Sequence, residues 1–157
     1  MNRFLLSILF VVATTSGVYS QTIGEWQTYF AYSSTSQVAE SPNKIFALAD
    51  GSLFSCNKNG AEIITYSKIN GLSDSNIAQI AYNNQHNFLF IAYQNANIDI
   101  LLNDKVINIP DFMIKTMPGD KSINGICFDG DYAYLSTGIG IVVVNVKKYE
   151  IQESYTI

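Results

Sequence analysis

Leu89-Phe90-Ile91-Ala92 is the apolar centre of a segment that occurs three times along this chain. Its counterparts are Ile45-Phe46-Ala47-Leu48 and Ala133-Tyr134-Leu135-Ser136, and the aromatic residues of the three segments are 44 residues apart. Each segment is short, rich in aromatic and aliphatic side chains, and bounded by turn-forming residues, which is the pattern of a β-strand in a hairpin. A constant interval of this length predicts a repeat architecture.

Each repeat contains four predicted strands. One strand precedes the aromatic segment and two follow it, separated by Asn, Asp and Gly residues that tolerate the positive φ of tight turns. The units cover residues 36–67, 76–110 and 122–156. Four short antiparallel strands in each unit of about 40 to 50 residues are typical of a propeller blade. The sequence therefore predicts an all-β fold, an incomplete β-propeller of about three four-stranded antiparallel blades with a repeat of about 44 residues.

The strand patterns favour stacked blades over other all-β folds. Residues 141–144 are apolar at consecutive positions, as expected for a strand that is buried on both faces. An up-and-down barrel would show strict alternation, and a β-sandwich stays open as an alternative but does not predict a fixed repeat. Propellers close with about four to eight blades. We therefore expect the first part of a longer ring, with the outer faces of its first and third blades exposed.

The first 20 residues have the pattern of a secretory signal peptide. Arg3 supplies the positive charge, residues 4–12 are largely apolar, and Ser20 is a small residue before the expected cleavage site. A run of this length is too short to span a bilayer. The interpretation is an exported protein whose residues 21–157 form the N-terminal portion of a propeller. Residues 23–32 are predicted to form an additional strand, which would complete the last blade of a closed ring.

Charge and cysteine content restrict the partners and the covalent chemistry. Beyond residue 20 the chain has eight lysines, no arginine and 13 acidic residues, a net charge of −5. This balance argues against nucleic-acid binding, which depends on positive charge and arginine. Cys56 and Cys127 lie in apolar strand patterns of different blades. They are predicted to be buried thiols and not a disulfide.

No catalytic, cofactor-binding or metal-ligating residues are predicted, and the ligand-binding residues stay open. The only histidine, His86, lies among amide side chains and is interpreted as a solvated turn residue. Asp129-Gly130-Asp131 lacks the further ligands of a calcium loop and is predicted to be a hairpin turn. The two glycines of Thr137-Gly138-Ile139-Gly140 join two strands and open no helix, which excludes a dinucleotide site. Most of the ten tyrosines are expected in blade cores, although some could line a binding surface.

Several of these segments resemble known propellers. Gly71-Leu72-Ser73, which leads into a strand, is similar to the linker between blades of two-component-regulator-type propellers. Residues 23–29, 49–55, 97–100 and 134–143 together resemble the N-terminal propeller of the PorZ family. The resemblance extends over nearly all of the chain beyond the signal peptide and lies in structural residues.

The resemblance implies a function that the residues alone do not supply. PorZ-like proteins are non-enzymatic cell-surface scaffolds of type IX protein secretion. They act with a sortase-like protein, PorU, and with PorV and PorQ, and they are associated with anionic lipopolysaccharide. The expected location is therefore the cell surface at the outer membrane, reached through the periplasm. The alternative is the periplasmic sensor propeller of a hybrid two-component regulator that binds a glycan. A propeller lyase or glycosidase is disfavoured by the single histidine and the absence of arginine beyond residue 20.

Overall fold

Phe46, Phe90 and Tyr134 occupy the second strand of three successive four-stranded sheets. The computed structural model describes residues 32–60 and 62–156 of the chain. The strands, in chain order, are β1 (Thr35–Glu40), β2 (Lys44–Ala49), β3 (Ser52–Asn57), β4 (Ile63–Tyr66), β5 (Ile77–Asn83), β6 (Phe88–Tyr93), β7 (Ile98–Leu102), β8 (Lys105–Ile109), β9 (Ile123–Asp129), β10 (Tyr132–Thr137), β11 (Gly140–Asn145) and β12 (Glu150–Thr156).

Each sheet is an antiparallel meander of strands that are consecutive in the chain. The sheets contain β1 to β4, β5 to β8 and β9 to β12, and within each sheet the strands pair in chain order. The first strands of the sheets lie side by side, with β5 in contact with both β1 and β9. This is the arrangement of propeller blades around an axis. The predicted all-β propeller of three four-stranded antiparallel blades is confirmed.

The three blades share a backbone irregularity at the start of the first strand. In each blade one extra residue forms a β-bulge there, and the bulged residues are Ser36, Ala78 and Asn124. Close by, the residue that follows the second strand donates its N–H to a carbonyl just before the first strand. These bonds are Asp50 to Ser34 (3.3 Å), Gln94 to Asn76 (3.0 Å) and Gly138 to Ser122 (3.2 Å). The donors are again 44 residues apart, so the sequence period extends to the hydrogen bonds.

The second blade is covered on both sides. All six residues of β6, Phe88–Tyr93, are buried. Phe88, Phe90 and Ala92 belong to the apolar cluster shared with the third blade, whereas Leu89, Ile91 and Tyr93 belong to the cluster shared with the first. Since neighbouring side chains on a strand point to opposite faces, both faces of this sheet are apolar and each needs an adjacent blade.

A short helix, α1 (Asp111–Ile114), lies in the segment between the second and third blades. The sequence analysis did not predict it. Phe112 of this helix is buried in the core between the two blades. The ammonium group of Lys121 donates to the carbonyl oxygens of Phe112 (3.0 Å), Met113 (2.7 Å) and Lys115 (3.1 Å). Lys121 therefore satisfies carbonyls that the end of the helix leaves without intrahelical partners.

The outer face of the third blade carries exposed apolar side chains, as predicted. Tyr132, Tyr134, Ile141 and Tyr155 are all more than a third exposed. On the first blade, Val38 and Ile63 are exposed as well. No further sheet of the described residues covers these two faces.

The two cysteines are free and lie in different blades, as predicted, but their predicted burial is wrong. Cys56 on β3 is half-buried, and Cys127 on β9 is exposed. The neighbours of Cys127, Ile126 and Phe128, pack into the core between the second and third blades. Because side chains alternate along a strand, Cys127 points to the uncovered outer face.

The signal peptide predicted for residues 1–20 and most of the strand predicted for residues 23–32 lie outside the described residues. Tyr32 is described, and its ring packs edge-on against Phe54, with the centroids 5.1 Å apart. Within the described ranges, no helix has the length and apolar character to span a membrane.

The close pairing of β11 with β12 depends on Gly140. Its φ is +131°, and an added Cβ would collide with the carbonyl oxygen of Tyr155. We expect Gly140→Ala to lower the free energy of unfolding by about 3 kcal/mol or more, from backbone strain and steric overlap. Gly130→Ala is the matched control, since φ there is +56° with nothing within 4 Å, and should cost only about 1 kcal/mol. Urea denaturation measures both; equal losses would contradict a special role for Gly140.

Candidate binding site at the blade axis

A groove opens where the first strands of all three blades begin. We call it the axial groove. It has a volume of about 440 Å³. Its polar lining side chains are Ser34, Ser36, Asp50, Gln79, Gln94, Ser122 and Asn124. These residues lie far apart in sequence and meet because the blades converge at this end.

The β-bulges position residues that line the axial groove. All three bulged residues, Ser36, Ala78 and Asn124, line it. A bulge bends the strand and changes the direction of a side chain, and such features are frequent beside functional sites. Asn124 is exposed here, so its amide is accessible to a ligand.

Asp50 holds the chain where it enters the first blade. Its carboxylate accepts hydrogen bonds from the hydroxyl of Ser33 (2.9 Å) and from the backbone N–H groups of Ser33 and Ser34 (3.3 Å each). Asp50 also lies in the tight turn between β2 and β3, with a φ of +47°. The carboxylate therefore fixes one wall of the axial groove.

Gln37 joins the first and second blades beneath the axial groove. Its side-chain oxygen accepts the backbone N–H of Ile80 at 2.9 Å, and its amide nitrogen donates to the side-chain oxygen of Gln79. The bonded residues are more than 40 positions apart in sequence. A single side chain thus satisfies a backbone donor of the next blade and fixes the spacing of two first strands.

A buried carboxylate, that of Asp99, fixes the linker between the first two blades. Asp99 is fully buried on β7. It accepts the hydroxyl of Tyr93 (2.6 Å), the backbone N–H of Ser73 (2.8 Å) and the amide of Asn108 (2.8 Å). Ser73 belongs to the Gly71-Leu72-Ser73 linker. Burial, reinforced by the adjacent Asp99, raises the pKa of Tyr93 well above its ordinary value.

His86 is not a solvated turn residue, so that interpretation is wrong. Its imidazole is only 24% exposed, and Nε2 lies 2.9 Å from Oδ1 of Asp131 in the third blade. The other oxygen of Asp131 accepts a hydrogen bond from Nζ of Lys147 (3.0 Å). Lys147, with a contribution from His86, lowers the pKa of the Asp131 carboxyl. This cluster links the second and third blades at the end opposite the axial groove.

The other motifs occupy the turns predicted for them. Asp129-Gly130-Asp131 contains the turn between β9 and β10, and Thr137-Gly138-Ile139-Gly140 contains the turn between β10 and β11. Within residues 32–60 and 62–156, no three His, Cys, Asp or Glu side chains are grouped as metal ligands would be. These two motifs form hairpin turns of the third blade, and none of their residues lines the axial groove.

Sequence reasoning did not find the residues of the axial groove. Most of them are single Ser, Gln and Asn residues at or near strand ends, without a motif, and Asp50 was named only as part of the segment 49–55. The available signal was the repeat itself, because aligning the three units by their aromatic segments brings Ser36, Ala78 and Asn124 close to equivalent positions. The groove offers hydroxyls, amides and one carboxylate, without a lysine among its lining residues. This chemistry suits hydrogen bonding to hydroxyl or amide groups of a ligand.

Comparison with known proteins gives a family. The profile of the PorZ N-terminal β-propeller domain of the type IX secretion system matches residues 45–157. The solved structure of PorZ, described as an essential bacterial surface component of this system in Porphyromonas gingivalis, is 36% identical, with a TM-score of 0.79. The match covers 83% of this chain and 18% of that one, so the chain spans less than a fifth of the PorZ structure.

More distant structures share the fold. The extracellular domain of a putative hybrid two-component system from B. thetaiotaomicron is 14% identical, with a TM-score of 0.65 over 79% of this chain and 17% of that one. AztD from Citrobacter koseri is 16% identical, with a TM-score of 0.56 over 78% of this chain and 33% of that one. No curated protein sequence matches the chain.

The buried Tyr93 gives the stability of the protein a specific dependence on alkaline pH. Its pKa is raised in the folded state, so above the ordinary tyrosine pKa of about 10 the unfolded state loses this proton first. We expect this group to lower the free energy of unfolding by up to about 1.4 kcal/mol for each pH unit above 10. Urea denaturation of the wild type and of Tyr93→Phe at pH 9 and pH 11 measures the effect. The variant should lose less stability between the two pH values; equal losses would contradict the assignment.

Proposed function

The chain belongs to the family of PorZ N-terminal β-propeller domains of the type IX secretion system, and from this membership we propose that it is a non-enzymatic cell-surface scaffold of type IX protein secretion. It acts in a complex with a sortase-like PorU protein, PorV and PorQ. The observation that carries the proposal is the 36% identity to PorZ over 83% of this chain. Residues 1–20 export the protein through the periplasm to the cell surface.

The composition of the axial groove supports a binding role over catalysis. A hydrolytic site needs a nucleophile beside a base, or two carboxyl groups facing the reacting bond. In the part of the chain that the structure describes, the groove has serine hydroxyls and a single carboxylate, and that carboxylate already accepts three hydrogen bonds. The histidine is at the opposite end, in contact with Asp131. A scaffold that holds partners needs no such groups.

The proposed ligand of the axial groove is the glycan of anionic lipopolysaccharide. Sugar hydroxyls both donate and accept hydrogen bonds, and the serine, glutamine and asparagine side chains of the groove can do the same. Asp50 is the only charged side chain among the described residues of the lining, and it is negative. It disfavours phosphate and leaves the neutral hydroxyl-rich part of the glycan as the portion bound.

The alternative, a sensor propeller of a hybrid two-component regulator, has weaker support. The comparable extracellular domain is 14% identical, a level that reflects the fold alone. The family profile, in contrast, covers residues 45–157. Both functions would place a ligand at the axial groove, so the partner proteins distinguish them.

Recovery of partners tests the secretion function. The complete gene product, tagged and expressed in its own cells, should co-purify with the sortase-like protein and with PorV and PorQ, because a scaffold holds these components together. The same tag on an unrelated exported protein is the control. Mass spectrometry identifies the recovered proteins. Recovery of a histidine kinase pathway without the sortase would support the sensor function instead.

Substitution of Asn124 tests glycan binding. Asn124→Ala removes an exposed amide of the axial groove, and the loss of about 1 kcal/mol of hydrogen bonding corresponds to roughly fivefold weaker binding of purified lipopolysaccharide. Asn59→Ala, in the turn between β3 and β4, is the control and should bind as the wild type does. Biolayer interferometry with immobilised lipopolysaccharide measures both affinities. Unchanged affinity of Asn124→Ala would contradict this location for the glycan.

A further inference from the structure

A second groove lies at the opposite end of the blades, between the first and second sheets. We call it the seam groove. It has a volume of about 470 Å³, within the range of about 300 to 1,000 Å³ that is common for ligand pockets. Its lining includes Asn43, Lys44, Phe46, Tyr82, Asn87 and Asp104. Phe46 and Tyr82 form its aromatic wall, with near-parallel rings whose centroids are 6.3 Å apart.

The equivalent place between the second and third blades is filled. There the ring of Phe88 packs edge-on against Phe128, with centroids 5.9 Å apart, and Phe90 contacts the same ring at 6.1 Å. The imidazole of His86 stacks on Phe88 with centroids 6.4 Å apart and reaches Asp131. An aromatic side chain with a polar neighbour thus fills the contact between the second and third blades, which we call the second seam. The contact between the first and second blades is the first seam.

Strand pairing shows which residues correspond. Phe46 and Phe90 occupy equivalent positions on β2 and β6, so Lys44 of the first blade takes the place of Phe88. In the same way Tyr82 takes the place of Phe128. Each is the residue of the first strand that comes directly after the partner of the aromatic residue in the second strand. Among the described residues, the first seam therefore has the receiving ring and no inserted ring.

The short turn between β1 and β2 makes the seam groove wider. Three residues separate Glu40 from Lys44, whereas five separate the equivalent residues Tyr82 and Phe88. The shorter turn has no counterpart of the His86 imidazole over the groove. Lys44 fills only part of the space: it lines the groove with 27% of its side chain exposed, and its Nζ lies 3.3 Å from Oδ1 of Asp104, which is 80% exposed. The side chains without a counterpart in the first seam are therefore those of Phe88 and His86.

We propose that the seam groove binds an aromatic side chain presented by a peptide segment of a partner protein. The ring packs against Tyr82 as Phe88 packs against Phe128. Asn87, which is 44 positions before Asp131, supplies a side-chain amide for the polar group that flanks the ring. Lys44 and Asp104 form an ion pair at the rim, so their charges offset each other and the aromatic ring is the feature that the groove selects.

The binding of a partner peptide in this groove rests on the scaffold function proposed above. Binding of a small aromatic probe nevertheless reads out the groove directly. If the probe binds while the sortase complex is not recovered, only the scaffold function fails. If the complex is recovered while the probe does not bind, only the groove assignment fails.

Titration with N-acetyl-phenylalaninamide tests the groove. The signals of the Asn43 and Asn87 side-chain amides in ¹⁵N-correlated spectra of the full chain should shift, because both amides line the groove. N-acetyl-leucinamide, which lacks the ring, should bind at least fivefold more weakly. Equal binding of the two amides would overturn the proposal. Stronger shifts of the same signals by a methyl glycoside would also overturn it and assign the groove to a glycan.

Lys44→Phe supplies the ring that the second seam already has. We expect this variant to weaken probe binding at least tenfold and to raise the Tm, because the new ring occupies the groove. Lys44→Met is the matched control: it removes the charge, leaves the groove open and should keep the affinity within twofold. Tyr82→Leu, which removes the receiving ring, provides a second test and should also abolish binding. Wild-type affinity in Lys44→Phe or in Tyr82→Leu would overturn the proposal.

Discussion

The burial of β6 on both faces is the constraint on which the rest of the structure depends. Consecutive side chains from Phe88 to Tyr93 alternate between two apolar clusters, one shared with each neighbouring blade. A single four-stranded sheet cannot remove both faces from water by itself. Stacking of sheets follows from this, and with it the convergence of the first strands and the two grooves at opposite ends of the blades. The hydrophobic effect therefore determines how the sheets stack, and the stacking determines where the strand ends that line the grooves lie.

Buried and half-buried polar side chains determine how the stacked sheets are aligned. Asp99 and Gln37 each bond a backbone N–H outside their own blade, Ser73 in the linker and Ile80 in the next blade. Hydrogen bonds of this kind contribute modestly when made, but a buried polar group left without one costs about 1–3 kcal/mol. Sliding one blade along another would break them. The linker and the axial groove are therefore held in one arrangement.

The sequence was sufficient for the strands because their signal is local and repeated. Aromatic segments 44 residues apart, with Gly, Asn and Asp in the turns, predicted three units of four strands, and the described residues form twelve strands in three sheets. It was not sufficient for the contacts between blades. His86 meets Asp131 only after the blades stack, so the turn sequence alone suggested a solvated side chain.

The remaining errors also have physical causes. Helix α1 has only four residues, too few for a periodic signal, and Lys121 at a distance in the chain holds its end. Cys127 was expected to be buried because its strand is apolar, yet it points to the face that no described sheet covers. The axial groove could not be predicted because its residues are ordinary turn and strand-end residues that only the converging blades bring together.

The differences between the two seams have a consequence for how the chain avoids misassembly. Three units with nearly the same backbone could in principle exchange places during folding, as tandem repeats do when neighbouring copies are too alike. The residue that corresponds to Asp99 in strand pairing is Phe54 in the first blade and Val142 in the third. A second blade docked in the wrong position would bury the Asp99 carboxylate without the donor from its own linker. The side chains at each seam therefore differ from those at the other. These differences determine the order of the blades, which the repeated backbone alone would not determine.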